Sequence, residues 1–402
     1  MGMLRDEVAV VGGGLVGKAA ALALAQAGLD VRLCGARPAA ALPETGCFAQ
    51  RIYAVNAASR ALLQGLRVWE QVPAERIQPV QRMHVRADGA ELRFDAYAQG
   101  VESLAWIVES DAIERALDLA LRFERGVQLL PDVVEHARRD AGGWELELSG
   151  GAGLRCALLV GADGRSSRVR EWSAIGLRSK PYGQTAVVCN FSCGAPHGAS
   201  ALQTFTDDGG VLALLPLPTL QGRAQVSLVW SAPDALAQSL RQLDPGQLAQ
   251  RVQPYLAQLG APQLAPLEAS SGIGAWPLVL QRAHDLAAQA VALLGDAAHV
   301  VHPMAGHGLN LGLQDVQALG AVLRRRAAGE TPGSLPVLRR YARARAEQVL
   351  ALELATDGLH RLYSPGFNWL APLRALGLRA TDRVPLLKTC LAGYASGRAV
   401  LS

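Results

Sequence analysis

Four apolar residues, Val8 to Val11, run into Gly12-Gly13-Gly14, and an alanine-rich stretch without proline follows. That order predicts a short buried strand, a tight turn and a helix over Lys18 to Ala27. Gly28 then stops the helix, and Val31 to Cys34 predicts a second strand, so the chain opens on a β–α–β unit. Glu109 to Arg122 places Ile113, Leu117 and Leu121 on one face of a helix. Leu158 to Gly161 and Ala290 to Leu294 are apolar runs of strand length. Between Thr185 and Trp230 the character changes. Val187 to Asn190, Ala201 to Phe205, Val211 to Leu215 and Gln225 to Trp230 are strand-like pieces split by Gly, Pro and Asp, as in antiparallel sheet. Ala235 to Leu259 reads as helical, broken at Asp244-Pro245-Gly246. Leu309 to Ala328, Leu335 to Thr356 and the tail after Pro365 complete the helical material.

Parallel β–α signals therefore occur in three separated blocks with antiparallel signals between them. The expected fold class is α/β. A Rossmann-like dinucleotide domain is made discontinuously from residues 1–75, 106–180 and 277–330. A sheet domain from 76–105 and 181–276 is inserted into it, and 331–402 forms a C-terminal helical segment.

Composition narrows the class. Of 402 residues, 50% are hydrophobic and 18% charged, which excludes a disordered chain and suits a large core. No apolar run reaches the ~20 residues of a spanning helix. The first residues, Met1 to Glu7, are charged and lead into a strand, unlike a signal peptide. The six scattered cysteines read as reduced thiols of a cytoplasmic protein. The net charge is +4, and residues 357–402 hold all of it, with Arg361, Arg374, Arg379, Arg383, Lys388 and Arg398 against Asp357 and Asp382. Such a tail suits either a packed helix with a solvated face or an anionic membrane surface. There is no dense basic patch of the kind nucleic acid requires.

Three motifs carry candidate chemistry. In Gly12-Gly13-Gly14-Leu15-Val16-Gly17, Gly12 permits the tight turn, Gly14 lets a pyrophosphate approach the backbone, and Gly17 lets the helix pack on the sheet. Gly161-Ala162-Asp163-Gly164 follows a buried strand. The third motif is Gly295-Asp296-Ala297-Ala298-His299-Val300-Val301-His302-Pro303-Met304-Ala305-Gly306-His307-Gly308-Leu309-Asn310-Leu311-Gly312-Leu313-Gln314-Asp315. Here a carboxylate stands at a strand end, and backbone N–H groups at a helix start can face an electron-rich ring. His299, His302 and His307 lie on a turn shaped by proline and glycine with no thiolate nearby, which argues against a metal. No nucleophile motif occurs.

In this order and at these separations the motifs resemble the class A flavoprotein monooxygenases, and within them the ubiquinone-biosynthesis hydroxylases. The similarity spans nearly the whole chain, including Tyr182-Gly183-Gln184-Thr185 and Asp357-Gly358-Leu359-His360-Arg361-Leu362-Tyr363. The resemblance implies an FAD-binding domain and a substrate domain. It implies that Gly12, Gly14, Gly17, Arg51 and Asp163 bind the cofactor and that Asp296 takes the ribityl hydroxyls. It also implies that Gly308, Leu309 and Asn310 offer N–H groups to the flavin edge. Pro303 would wall the reactive face; it and His307 are the candidates for a catalytic role. The segment from Glu109 to Glu114 would touch the cofactor at an unassigned atom. The implied reaction hydroxylates a polyprenylated phenol with O2 through a flavin C4a-hydroperoxide, with electrons from NAD(P)H or a reductase. Implied partners are a hydrophobic phenol or quinone precursor, and a peripheral membrane or biosynthetic complex. A soluble phenol as substrate, an FAD reductase that does not use oxygen, and a non-catalytic flavin-fold scaffold stay open as alternatives.

The chain departs from the family pattern twice. The acid that usually ends the second strand and grips the adenosine ribose falls at Gly35, and Arg37 is the nearest side chain that can contact the ADP moiety instead. His307 stands where glutamine is usual, either as a replacement hydrogen-bonding group or as one that titrates near neutral pH. Trp230, Phe205, Leu214 and Trp276 are candidate substrate-wall residues, with core packing the better expectation for each.

Overall fold

The computed structural model describes residues 5–42, 47–140, 142–301 and 307–362. Pro303 and all of the basic tail beyond Leu362 lie outside them.

Five strands form the parallel centre of an eight-stranded sheet. Their order is Val291–Leu293, Gly153–Gly161, Arg5–Val11, Val31–Cys34 and Val127–Leu130, each pair parallel. Val8, Ala9, Val10, Leu158, Leu159 and Val160 are fully buried, because helices cover one face of this sheet and a second apolar cluster covers the other. The helix Leu15–Ala25 explains its own composition. It is buried almost all round between the sheet and the helices Ser110–Phe123 and His307–Arg324, so small alanines let it approach closely. A hairpin of Val134–Asp140 and Gly143–Leu148 extends the sheet through Gly153–Gly161. The alternation in Trp144-Glu145-Leu146-Glu147-Leu148 after Gly142-Gly143 is its signal, and the sequence reading passed over it.

The second sheet has nine strands. Gly274–Ala283, Leu177–Cys193, Arg223–Pro233, Val211–Leu220 and Ser200–Phe205 run antiparallel in that order, and Ser200–Phe205 pairs parallel with Arg82–Ala87. Its two faces follow from period-2 alternation. Val187, Cys189, Phe191, Leu212, Leu214, Val226, Leu228 and Trp230 point to one side and form a core with the helices Asp234–Arg241 and Pro245–Val252. The break expected at Asp244-Pro245-Gly246 is a capping box, in which Asp244 and Gln247 satisfy each other's backbone N–H groups. The intervening residues of the same strands face the first sheet across a cavity. A small three-stranded antiparallel sheet, Ile52–Val55, Ala105–Glu109 and Ile77–Val80, closes one side of it.

The last described helix, Leu335–Leu362, packs on His307–Arg324 and is fastened by Tyr341, whose hydroxyl donates to the Leu293 carbonyl at 2.7 Å. No described helix is long and apolar enough to cross a membrane.

Candidate cofactor and substrate site

A cavity of about 570 Å³ lies between the two large sheets. It is within the range of small-molecule sites. Its walls are unlike in chemistry. Among the described residues every charged one lining it, Arg51, Glu114, Arg165 and Asp296, comes from the dinucleotide side. The nine-stranded sheet contributes an uncharged floor that includes Ala186, Val188, Val211, Ala213 and Val229, with Gln203 and Ser231 as its polar members.

The glycine turn behaves as its spacing predicts. Gly12 sits at φ +120°, and a Cβ there would fall 2.3 Å from the Ala162 carbonyl oxygen. A Cβ on Gly17 would fall 1.8 Å from the Gly12 oxygen, so the helix rests directly on the turn. Gly14 has nothing within 4 Å of its Cβ position and lines the cavity. Two packed glycines therefore set up an open third one, at a helix start whose first N–H groups have no partner within the helix. This geometry fits a pyrophosphate.

The long motif opens with Gly295 at φ +56°, and Asp296 follows, exposed to the cavity but walled by protein elsewhere. That enclosure pushes the Asp296 carboxyl above the ordinary aspartate range, while the charges of His299, Arg51 and Arg165 pull it down. Gly308 and Leu309 line the cavity from the first turn of His307–Arg324. Asn310 is placed differently. Its side chain is buried, accepts from the Asn56 N–H at 3.0 Å and donates to the Ala54 carbonyl at 2.8 Å, tying the helix to the strand beside Arg51. Arg51 and Tyr53 both line the cavity, with the guanidinium 5.5 Å from the ring centroid. Asp163 does not line it. Its Oδ2 accepts from the N–H groups of Arg168 and Val169 at 2.8 and 3.2 Å, and Ala162, Gly164 and Arg165 face the cavity around it. His307 begins its helix; its side chain, like Pro303, lies outside what the structure describes.

A buried cluster beneath Asp296 had no assigned role in the sequence. Asp315, the last residue of the motif, accepts from the Gly295 N–H at 2.9 Å, lies 2.7 Å from His299 Nε2 and accepts from Arg345 Nε at 2.7 Å. All three side chains are essentially inaccessible to solvent. Burial alone would raise the Asp315 carboxyl; His299 and Arg345 outweigh it and hold the group below the usual range. Val16 joins the motifs by packing where a Cβ on Gly312 would lie only 2.7 Å from its Cγ2.

Of the candidate wall residues, Trp276 lines the cavity, Trp230 and Leu214 are in the core on the far face, and Phe205 is not among the lining residues. One position in the two-residue alternation separates Trp230 from Ser231.

The family described as an FAD binding domain matches residues 5–354. Over 396 residues the chain is 37% identical to the 3-demethoxyubiquinol 3-hydroxylase of Escherichia coli (strain K12), covering 97% of this chain and 98% of that protein. The chain belongs to the ubiquinone-hydroxylase group of FAD-dependent monooxygenases. A second relative, the ubiquinone hydroxylase UbiL of Rhodospirillum rubrum, is 33% identical over 395 residues, covering 97% of this chain and 89% of the relative. The crystal structure of pqsL, a probable FAD-dependent monooxygenase from Pseudomonas aeruginosa, shares the fold with a TM-score of 0.75 at 23% identity, covering 94% of this chain and all of that one. The cofactor of this hydroxylase is therefore FAD and its co-substrate O2.

Proposed function

We propose that this monooxygenase hydroxylates the ring of a neutral, polyprenylated phenol in ubiquinone biosynthesis. The observation that carries the reading is the uncharged sheet floor facing a charged cofactor wall across one cavity. A benzoate-like substrate would need a cation on that floor, because an unpaired carboxylate there costs several kcal/mol or more. Gln203 and Ser231 instead offer neutral donors and acceptors that suit phenolic oxygens. One relative is named for a demethoxyubiquinol, and a quinol is a neutral phenol.

Bound FAD supplies the activation of O2 once it is reduced. The chain's own groups do the rest. The open Gly14 turn receives the pyrophosphate, and Asp296 accepts hydrogen bonds from ribityl hydroxyls. The N–H groups of Gly308 and Leu309, at a helix N-terminus, favour negative charge on the reduced ring. Ala186, Val188, Ala213 and Val229 exclude water from the reacting ring. The tail leaves past Trp276, which is 40% exposed at the cavity's edge, toward a membrane surface from which a lipid-like substrate is drawn.

The test compares kcat/KM for a short-chain prenylated phenol, the same phenol without its tail, and its ring-carboxylated analogue. The neutral prenylated phenol is expected to be preferred over the carboxylated one by at least about 100-fold, a ~2.7 kcal/mol difference. Equal use of the carboxylated phenol contradicts the reading, and equal use of the tail-less phenol removes the tail from it.

A further inference from the structure

We infer that Glu114 supplies the carboxylate for the adenosine ribose of FAD that the end of the second strand lacks. The inference rests on the cofactor site above and adds a residue to it.

Gly35 has no side chain, and its backbone strains a replacement. It lies at φ +74°, a conformation L side chains rarely adopt, and its carbonyl oxygen would be 2.3 Å from a Cβ on Gly13. The strand end is thus folded against the glycine turn at a φ that disfavours any side chain there.

A different carboxylate reaches the same end of the cavity. Glu114, on the helix Ser110–Phe123, lines it together with Gly14 and Leu15. It is held by Lys18, the residue directly after the glycine motif. Lys18 is 1% exposed, and its Nζ is 2.9 Å from Glu114 Oε1, 2.6 Å from Asp118 Oδ1 and 2.9 Å from the Arg37 carbonyl oxygen. A buried lysine in the first turn of a helix, where the helix dipole is positive, is expensive unless it is paired, so its presence calls for a purpose. That Arg37 contact anchors Glu114 beside the strand end where the ribose acid is normally found. Both Asp118 oxygens are engaged locally, since the other one accepts from the Ala39 N–H at 2.6 Å. Glu114 Oε2 takes no hydrogen bond among the described residues. Two carboxylates against one ammonium leave a surplus acceptor, and it is the one in the cavity. Vicinal sugar hydroxyls are donors of the right chemistry for it.

The test uses the full-length chain stripped of flavin. FAD binding is followed by flavin fluorescence and ADP binding by calorimetry, in wild type, Glu114→Gln and Asp118→Asn. Loss of one charged hydrogen bond predicts a rise in Kd of about 10- to 100-fold for both FAD and ADP in Glu114→Gln. Asp118→Asn removes the same charge from Lys18 outside the cavity and is expected to stay within about threefold of wild type. Three results overturn the assignment: an unchanged FAD Kd in Glu114→Gln, a weakened FAD with unchanged ADP, or an equal loss in Asp118→Asn. Wild-type protein that takes up neither ligand overturns the cofactor reading itself, which distinguishes the two failures.

Discussion

Replacing Arg345 by Met keeps most of the side chain's volume and removes the charge that faces Asp315. The Asp315 carboxylate is then buried with the Gly295 N–H and His299 alone, and neither side chain of the pair reaches solvent in the wild type. Breaking one side of a buried pair costs about 3–5 kcal/mol, chiefly because the remaining charge is stranded. The double variant Asp315→Leu with Arg345→Met removes both charges. It leaves the Gly295 N–H and the buried His299 Nε2 without their acceptor, at about 1–3 kcal/mol each. The double variant is therefore expected to cost less than the two single variants together, with a coupling of at least ~2 kcal/mol in a double-mutant cycle. Urea denaturation followed by tryptophan fluorescence reads the stabilities. Flavin uptake reads the second consequence, because Asp315 holds the residue directly before Asp296 and both variants should bind FAD more weakly. Arg345→Met costing under ~1 kcal/mol, or single effects that simply add, would refute this account of the cluster.

Three further outcomes follow from the same geometry. Asp296→Ala should lose FAD outright, and an FAD dissociation constant equal to that of wild type removes Asp296 from the site. Gly17→Ala should destabilise the first βα unit by at least ~2 kcal/mol, since its Cβ would lie 1.8 Å from the Gly12 oxygen; an unaltered urea midpoint contradicts the close packing. For acid stability the sign is set by Asp315, whose folded carboxyl lies below its unfolded value of about 4. Its contribution is complete above the unfolded value and disappears as pH falls through the folded one. Asp315→Asn should therefore flatten the loss of stability on acidification below about pH 4, measured by urea midpoints across pH.

Much of the dinucleotide fold was legible because its signals are local. A buried strand, three glycines and an alanine-rich helix follow one another within Val8 to Cys34, and the positive φ of Gly12 and the packing of Gly17 on Gly12 both fall within that stretch. The cofactor-side positions Arg51, Asp296, Gly308 and Leu309 converge on the cavity for the same reason, each standing at the end of a strand or the start of a helix. The side chains of Asn310 and Asp163 hold backbone, a role beyond the one expected of the Asn310 N–H, and for Asn310 it depends on partners far away in sequence, Asn56 and Ala54. The same limit hid Arg345. Nothing local separates it from Arg339, Arg340 and Arg343, and only the packing of two helices brings it to Asp315. Substrate-wall residues were hard to choose because a strand's two faces differ by one position, so Trp230 and Ser231 exchange roles with a single step in register.

Oxygen transfer to the ring tests the central claim most directly. The FAD-loaded protein, photoreduced without oxygen so that no external donor is needed, is mixed with a short-chain prenylated phenol and ¹⁸O-labelled O2, and the product is weighed by mass spectrometry. The account predicts one labelled oxygen in a new ring hydroxyl. Reoxidation of the bound flavin with unaltered phenol, for every neutral prenylated phenol offered, would contradict it.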